Sequence, residues 1–306
     1  MDMLEMIKRR GLGVLVAATT VASAAGCSLA ATDSKPSVVS PRPTVPFDAA
    51  DPATWVLPIE GYLPSDSERK QISQARKILV GDCMKRFGFS WQPAPDLPRL
   101  GPKTLVDWRY GIHDMALAEE RGYKPAAAEQ EAYDKAVEAG ALDKTTDSGP
   151  ETHALEGGAP KVGGEPVPEG GCLGEADRKI AGGAVTTEVA QKVSNEAFIQ
   201  SQQHPKVVKA FRAWSACMKE SGFDYARPLD ASDDPRFGTP EVTSLEIRTA
   251  TADIACRDRT DVARIWFEAE TAIQKETIEA RPEQLNKERE SLDAAVKKAA
   301  DVVAGS

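Results

Sequence analysis

Gly81-Asp82-Cys83-Met84-Lys85-Arg86-Phe87-Gly88-Phe89-Ser90-Trp91 returns later in the chain as Ser215-Ala216-Cys217-Met218-Lys219-Glu220-Ser221-Gly222-Phe223-Asp224-Tyr225. Cys, Met, Lys, Gly, Phe and a final aromatic match without a gap. Each copy closes an amphipathic pattern. Before the first, Ile72, Ala75, Arg76, Leu79, Val80 and Cys83 share one helical side behind Ser65-Asp66-Ser67-Glu68. That opening is a capping box, with Ser65 as N-cap and Glu68 at the third helical position. Before the second, Val207, Val208, Phe211, Trp214 and Met218 follow Pro205, a residue suited to the first helical position. Cys and Met should face a neighbouring helix, Gly should take positive φ, and Phe should fold back over the last turn. The motif therefore reads as a helix end rather than as a ligand site.

Working outward, the remaining segments also read as helix. Aromatics are 6% of the chain, and Val/Ile/Thr/Tyr runs of strand type are nearly absent. Short helices are expected over about Asp114 to Arg121, closed by Gly122-Tyr123, and about Pro125 to Ala139, closed by Gly140. Thr186 to Gln203 forms another, with Val189, Val193, Ala197 and Phe198 inward. After an acidic loop from Asp230 to Pro240, the longest pattern runs from about Val242 to Ala280. Its apolar positions, Leu245, Ala252, Ala255, Val262, Trp266, Ala269 and Ile273, step by three and four in coiled-coil fashion. Arg281-Pro282 breaks it, and Glu283 to Val303 follows with Leu285, Leu292, Val296, Ala299 and Val303 on one face. The pair predicts a long antiparallel helical hairpin, a protein-contacting arm.

Two stretches stand outside this pattern. Asp143 to Gly171, rich in Gly, Pro, Glu and Thr, reads as a long mobile loop ending at Cys172. Trp55, Leu57, Ile59 and Tyr62 are too apolar for a solvated linker and should dock on the helices that follow. The expected architecture is mostly α. It is a helical domain over 51–306, with disulfide-stapled units of about 51–183 and 184–306, the flexible loop 143–171 and the C-terminal hairpin.

Residues 1–26 have a different character. Lys8, Arg9 and Arg10 precede the apolar run from Gly11, which ends at Ala24-Ala25-Gly26-Cys27. A basic segment, an apolar segment and small residues are the layout of an export signal, and the small residues abutting Cys27 look like a bacterial lipobox. The pattern prefers a large aliphatic where Ala24 stands. The alternative is an ordinary signal cut after Ala24 or Ala25. Cysteine parity favours lipidation: of five cysteines, using Cys27 for lipid leaves Cys83, Cys172, Cys217 and Cys256, an even set for an oxidising compartment. The apolar run is shorter than the ~20 residues a membrane span needs. Residues 27–50, with Pro36, Pro41, Pro43 and Pro46, read as a disordered Ser/Thr/Pro tether. The expected location is the outer face of the cytoplasmic membrane.

Four cysteines allow three pairings. The repeated helix end favours Cys83–Cys172 and Cys217–Cys256, each Cys-Met-Lys end stapled to the next cysteine-bearing segment.

The formal charge is −9, and removing residues 1–26 makes it about −10. So acidic a chain has no electrostatic footprint for nucleic acid, and it is expected to gain nothing from anionic lipid, which leaves the anchor to the acyl chains. His113, His153 and His204 are dispersed, and no Cys-x-x-Cys, His-Glu-x-x-His, Gly-x-Ser-x-Gly or phosphate-cradling loop occurs. Almost all of the 47 Asp and Glu are expected to be solvated surface groups. No cofactor, metal or catalytic residue is expected.

Leu57-Pro58-Ile59-Glu60-Gly61-Tyr62-Leu63-Pro64, the first Cys-Met-Lys-Arg-Phe-Gly-Phe, Arg109-Tyr110-Gly111-Ile112, Arg121-Gly122-Tyr123 and Gly170-Gly171-Cys172-Leu173-Gly174-Glu175-Ala176 together resemble a group of exported lipoproteins of high-GC Gram-positive bacteria. The group is largely uncharacterised and carries over no catalytic residues. Some members accompany ABC-type export systems, so the resemblance implies an envelope protein as partner. The expected function is a lipid-anchored extracytoplasmic binding or accessory protein. The alternatives are a cell-wall-acting enzyme and a solute-binding lipoprotein, the latter disfavoured by the missing βαβ alternation.

Overall fold

Ser65 caps the first long helix, α1 (Asp66–Arg86), through a reciprocal pair of bonds. The Glu68 N–H donates to Ser65 Oγ at 3.3 Å, and the Ser65 N–H donates to the Glu68 carboxylate at 2.7 Å. The computed structural model describes residues 46–142, 149–182 and 185–306, all within one compact unit, Pro36–Ser306. After α1 come α2 (Met115–Arg121), α3 (Ala127–Glu138), the turn α4 (Pro150–Thr152) and a small antiparallel pair, β1 (Lys161–Val162) with β2 (Glu165–Pro166). Then follow α5 (Gly171–Ala181), α6 (Glu188–Ser201), α7 (Pro205–Glu220), α8 (Pro228–Ser232), α9 (Ser244–Thr260), α10 (Val262–Ala280) and α11 (Pro282–Ala304). The class is mostly α, as the periodicities predict. No helix among the described residues is long and apolar enough to cross a membrane.

The repeated helix end folds the same way twice. Gly88 and Gly222 take φ of 83° and 88° beyond α1 and α7. Phe89 and Phe223 donate their N–H groups back to Met84 and Met218 at 3.1 and 2.9 Å, while Gly88 and Gly222 donate to Lys85 and Lys219 at 3.0 Å. These are Schellman closures, and they turn each Phe back over its own helix. Both expected disulfides form, Cys83–Cys172 and Cys217–Cys256, each with Cα atoms 5.6 Å apart. The resemblance between the copies stops there. Cys83 reaches the first turn of α5, whereas Cys217 reaches the end of α9. The echo is a local motif used in two settings.

Four expectations need correction. The pattern from Val242 to Ala280 is two helices, because Asp261 takes a left-handed φ of 56° between α9 and α10. Asp is among the few residues that visit this region readily, and its carboxylate is held by Arg264 Nε at 3.0 Å. The bend lets Cys256 meet α7 while Trp266 turns toward α6 and α7. The C-terminal hairpin also does not zip together. α10 packs along α6 and α7, whereas α11 packs along α1 and α5, where Ala295 and Ala299 meet Ala75 and Ile180. Small side chains there let the backbones approach closely.

Thirdly, the stretch expected as a featureless loop carries structure. Residues 150–157 turn as α4 and a wider π turn, the β1–β2 hairpin follows, and Ala154 and Val162 are buried against the Cys83–Cys172 region. A disulfide and a few apolar side chains suffice to organise a Gly/Pro-rich segment whose composition lacks any period. Residues 143–148 of that stretch lie outside the described residues. Lastly, the units 51–183 and 184–306 interleave. Trp55, Leu57, Ile59, Tyr62, Val106 and Tyr110 belong to the same core cluster as Trp214 and Trp266. The expectation that the 55–62 segment docks is met: Leu57, Ile59 and Tyr62 are fully buried, and the rings of Trp55 and Phe267 lie 4.8 Å apart.

Glu68 ties two of these elements together, capping α1 and accepting from Arg289 of α11. Against the partial burial that raises it, the bonds from Arg289 and Ser65 hold its carboxyl below the usual range. A depressed folded-state pKa gives stability that is present above the unfolded value and lost as pH falls through the folded one. Chemical denaturation should show the wild type losing stability below about pH 4.5, with Glu68→Gln about 1 kcal/mol weaker at pH 7 and the gap narrowing as pH falls further. An undiminished gap at pH 3 contradicts this account.

Candidate functional site

Three carboxylates sit at zero exposure in the core: Glu246 and Asp253 on α9, and Glu270 on α10. Burying a charge is costly unless it is paired and hydrogen-bonded, so the donors around each decide what it does. Asp253 is gripped side-on by Arg257, Nε to Oδ1 at 2.7 Å and Nη2 to Oδ2 at 2.9 Å. Trp214 Nε1 adds a bond of 2.9 Å and the Tyr123 hydroxyl one of 3.2 Å. Arg257 spends its remaining donors on the carbonyls of Tyr110 and Pro228. Burial pushes the Asp253 carboxyl up from the usual range, opposed by the Arg257 charge and these bonds.

Glu270 accepts from the side edge of Arg109, Nε at 3.0 Å and Nη2 at 2.7 Å, together with the Tyr110 hydroxyl at 2.8 Å and Gln274 Nε2 at 2.8 Å. Gln274 in turn accepts the Ile59 N–H at 3.1 Å, which pins the docked 55–62 segment. Arg109 also donates to the Ser194 carbonyl at 2.9 Å and stacks over Phe198 at 4.5 Å. Burial and the neighbouring Glu270 raise the Tyr110 hydroxyl well above its ordinary value, so it stays a donor. Glu246 accepts from Lys124 Nζ at 3.0 and 3.1 Å and from the Tyr123 N–H at 3.2 Å.

These networks join the sequence's distant parts. Arg109, Tyr110, Tyr123 and Lys124 come from the first half and the carboxylates from the second. Gly111 has the closest fit: at φ 110°, a Cβ there would lie 2.0 Å from the Arg257 guanidinium carbon. Only glycine leaves room for that cation. The motifs Leu57–Pro64, Arg109–Ile112 and Arg121–Tyr123 are thus the contact points of the fold's polar core.

Chemically, each of the three carboxylates is saturated by protein donors and closed to solvent, so none is presented to a substrate. Their work is to fix geometry. Sequence reasoning gave almost all acidic residues to the surface and singled out none of these three. The signal was their phase: Glu246, Ala250, Asp253, Ile254 and Arg257 share one face of α9, in register with the buried apolar positions.

A shallow depression between Trp108, Ile112, Asp114, Leu117 and Lys124 encloses about 10 Å³, room for about one water molecule and far too little for a small-molecule ligand. Among the described residues, no group of three His, Cys, Asp or Glu converges to hold a metal ion. His113 bonds Asp107 at 2.8 Å, and His204 caps α7 by accepting the Lys206 N–H. Of the expected site residues, Cys83, Cys172, Cys217 and Cys256 are paired as predicted, and Cys27 lies outside the described residues. No family model, curated protein or solved structure matches this chain. Its functional reading rests on its own residues.

Proposed function

We propose that the protein is a lipid-anchored extracytoplasmic binding or accessory module of the bacterial cell envelope, held through Cys27 to the outer face of the cytoplasmic membrane. The observation that carries this is the cysteine balance. Cys83, Cys172, Cys217 and Cys256 are consumed by two disulfides, which fits an oxidising compartment. Cys27 is left over, and it is the cysteine that follows a basic segment, an apolar run and Ala24-Ala25-Gly26. Two acyl chains on one cysteine would anchor firmly where a single chain is marginal. A scaffold whose buried charges are all satisfied suits a protein that presents a rigid surface to a partner. Resemblance to lipoproteins that accompany ABC-type exporters suggests an envelope protein as that partner. Since the apolar side of α11 is covered by α1 and α5, contact through the C-terminal helices falls to their solvent sides.

Metabolic labelling with a clickable fatty acid tests the anchor. The wild type should carry label and pellet with membranes, and Cys27→Ala should carry none. Equal labelling of both, or a mature N-terminus away from Cys27, contradicts the proposal.

A further inference from the structure

The acidic charge of this protein is unevenly spread. The solvent stripe of α7 carries Lys206, Lys209, Arg212 and Lys219, separated by the short side chains of Ala213 and Ala216. Lys219 is engaged by Asp224 at 3.2 Å, and Glu220, the stripe's one acid, by Arg259 at 2.7 Å. Lys206, Lys209 and Arg212 have no ion-pair partner among the described residues. Most other described cations are tied to a carboxylate close by, and three unpaired ones within about two turns of an exposed helix stand out in a chain with net charge −9. Just before α7, in the last turn of α6, Ile199 is 60% exposed. Long cations suit phosphate headgroups, and an exposed aliphatic suits the layer just beneath them.

We propose that this face of α7 lies against the anionic lipid surface to which the protein is anchored, with Lys206, Lys209 and Arg212 on the headgroup phosphates. The proposal rests on the lipid-anchor reading and adds an orientation to it. The occupant follows from the tether. From Cys27 to Phe47 the chain extends at most about 70 Å, so the membrane is the one polyanionic surface held near the domain at all times. Screening confines the attraction to about 8–10 Å at ordinary salt, so the cations must nearly touch the headgroups. Screening also limits how far the chain's net acidity acts, and the acids at the end of this stripe, Glu220 and Asp224, are already paired with Arg259 and Lys219. Each cation near an anionic surface contributes about a fivefold preference, and three about a hundredfold.

The test uses the full lipidated chain in vesicles of pure phosphatidylcholine or of phosphatidylcholine with 30% phosphatidylglycerol. Lysines are labelled with a membrane-impermeant amine reagent and read by mass spectrometry. Labelling of Lys206 and Lys209 should slow at least fivefold on the phosphatidylglycerol vesicles and recover in 0.5 M NaCl, while Lys70 and Lys297 stay unchanged. The variant K206E/K209E/R212E should float with the vesicles as before, and its Lys219 should label equally on both. Equal labelling of Lys206 and Lys209 on the two vesicle types, or equal slowing at Lys70 and Lys297, overturns the proposed face while leaving the anchor intact. A chain that does not float at all overturns both.

Discussion

Asp253→Ala is expected to destabilise the fold by about 3–5 kcal/mol, because it leaves the Arg257 guanidinium charged, buried and without its carboxylate. Arg257 is 4% exposed and cannot swing out to water without dragging the Tyr110 and Pro228 carbonyl bonds with it. Trp214 and Tyr123 lose an acceptor in the same step. For a domain of this size the melting temperature should fall by about 10 °C or more. The control is Asp253→Ala with Arg257→Met, which removes the stranded charge and should recover part of the loss, since buried pairs are often replaceable by apolar side chains. Thermal unfolding followed by circular dichroism reads all three. If the double variant is as weak as the sum of the separate changes, the stranded charge is not the cause.

The second large effect belongs to the disulfides. Loops of 39 and 89 residues give chain-entropy contributions of about 4 and about 5 kcal/mol, upper figures because strain and residual structure subtract from them. Either value is a large part of a domain's net stability. The two bonds should nevertheless fail differently. Cys217 and Cys256 lie in the main core with Trp214 and Trp266, so Cys217→Ser/Cys256→Ser should lower the melting temperature of the whole domain. Cys83 and Cys172 hold a small cluster containing Ala154 and Val162. Cys83→Ser/Cys172→Ser should therefore first release residues 149–171, seen as protease cutting there at temperatures where the rest resists. Cutting in that segment in both variants alike argues against separate roles.

The difference between those variants shows where sequence reading stopped. Local interactions were legible because they depend on residues a few positions apart. The Ser65–Glu68 box and the Gly88 and Gly222 helix ends all form where their spacing put them. The cysteine pairing followed from the repeated helix end. The docking of Trp55, Leu57, Ile59 and Tyr62 was legible too, since four large apolar groups in so short a stretch have no stable place in water.

What the chain's order could not say is which surfaces meet. Leu285, Leu292, Ala295 and Ala299 mark the buried stripe of α11 as plainly as any helix here, yet the stripe faces α1 and α5 rather than the helix just before it. A stripe states that burial occurs and leaves its partner open, because apolar contact is non-directional. The same holds for the core charges. In the sequence Asp253 and Glu270 share a helical phase with apolar positions, but nothing there names the groups they meet. They are buried only because Arg257, Trp214 and Tyr123, or Arg109, Tyr110 and Gln274, arrive around them together. The sequence by itself determined the helices, their ends and their apolar sides, since those are set within a few turns of chain. Tertiary structure decided the helix partners and the polar core, since both need groups far apart in the chain to meet: Tyr123 reaches Asp253 across 130 residues and Arg109 reaches Glu270 across 161.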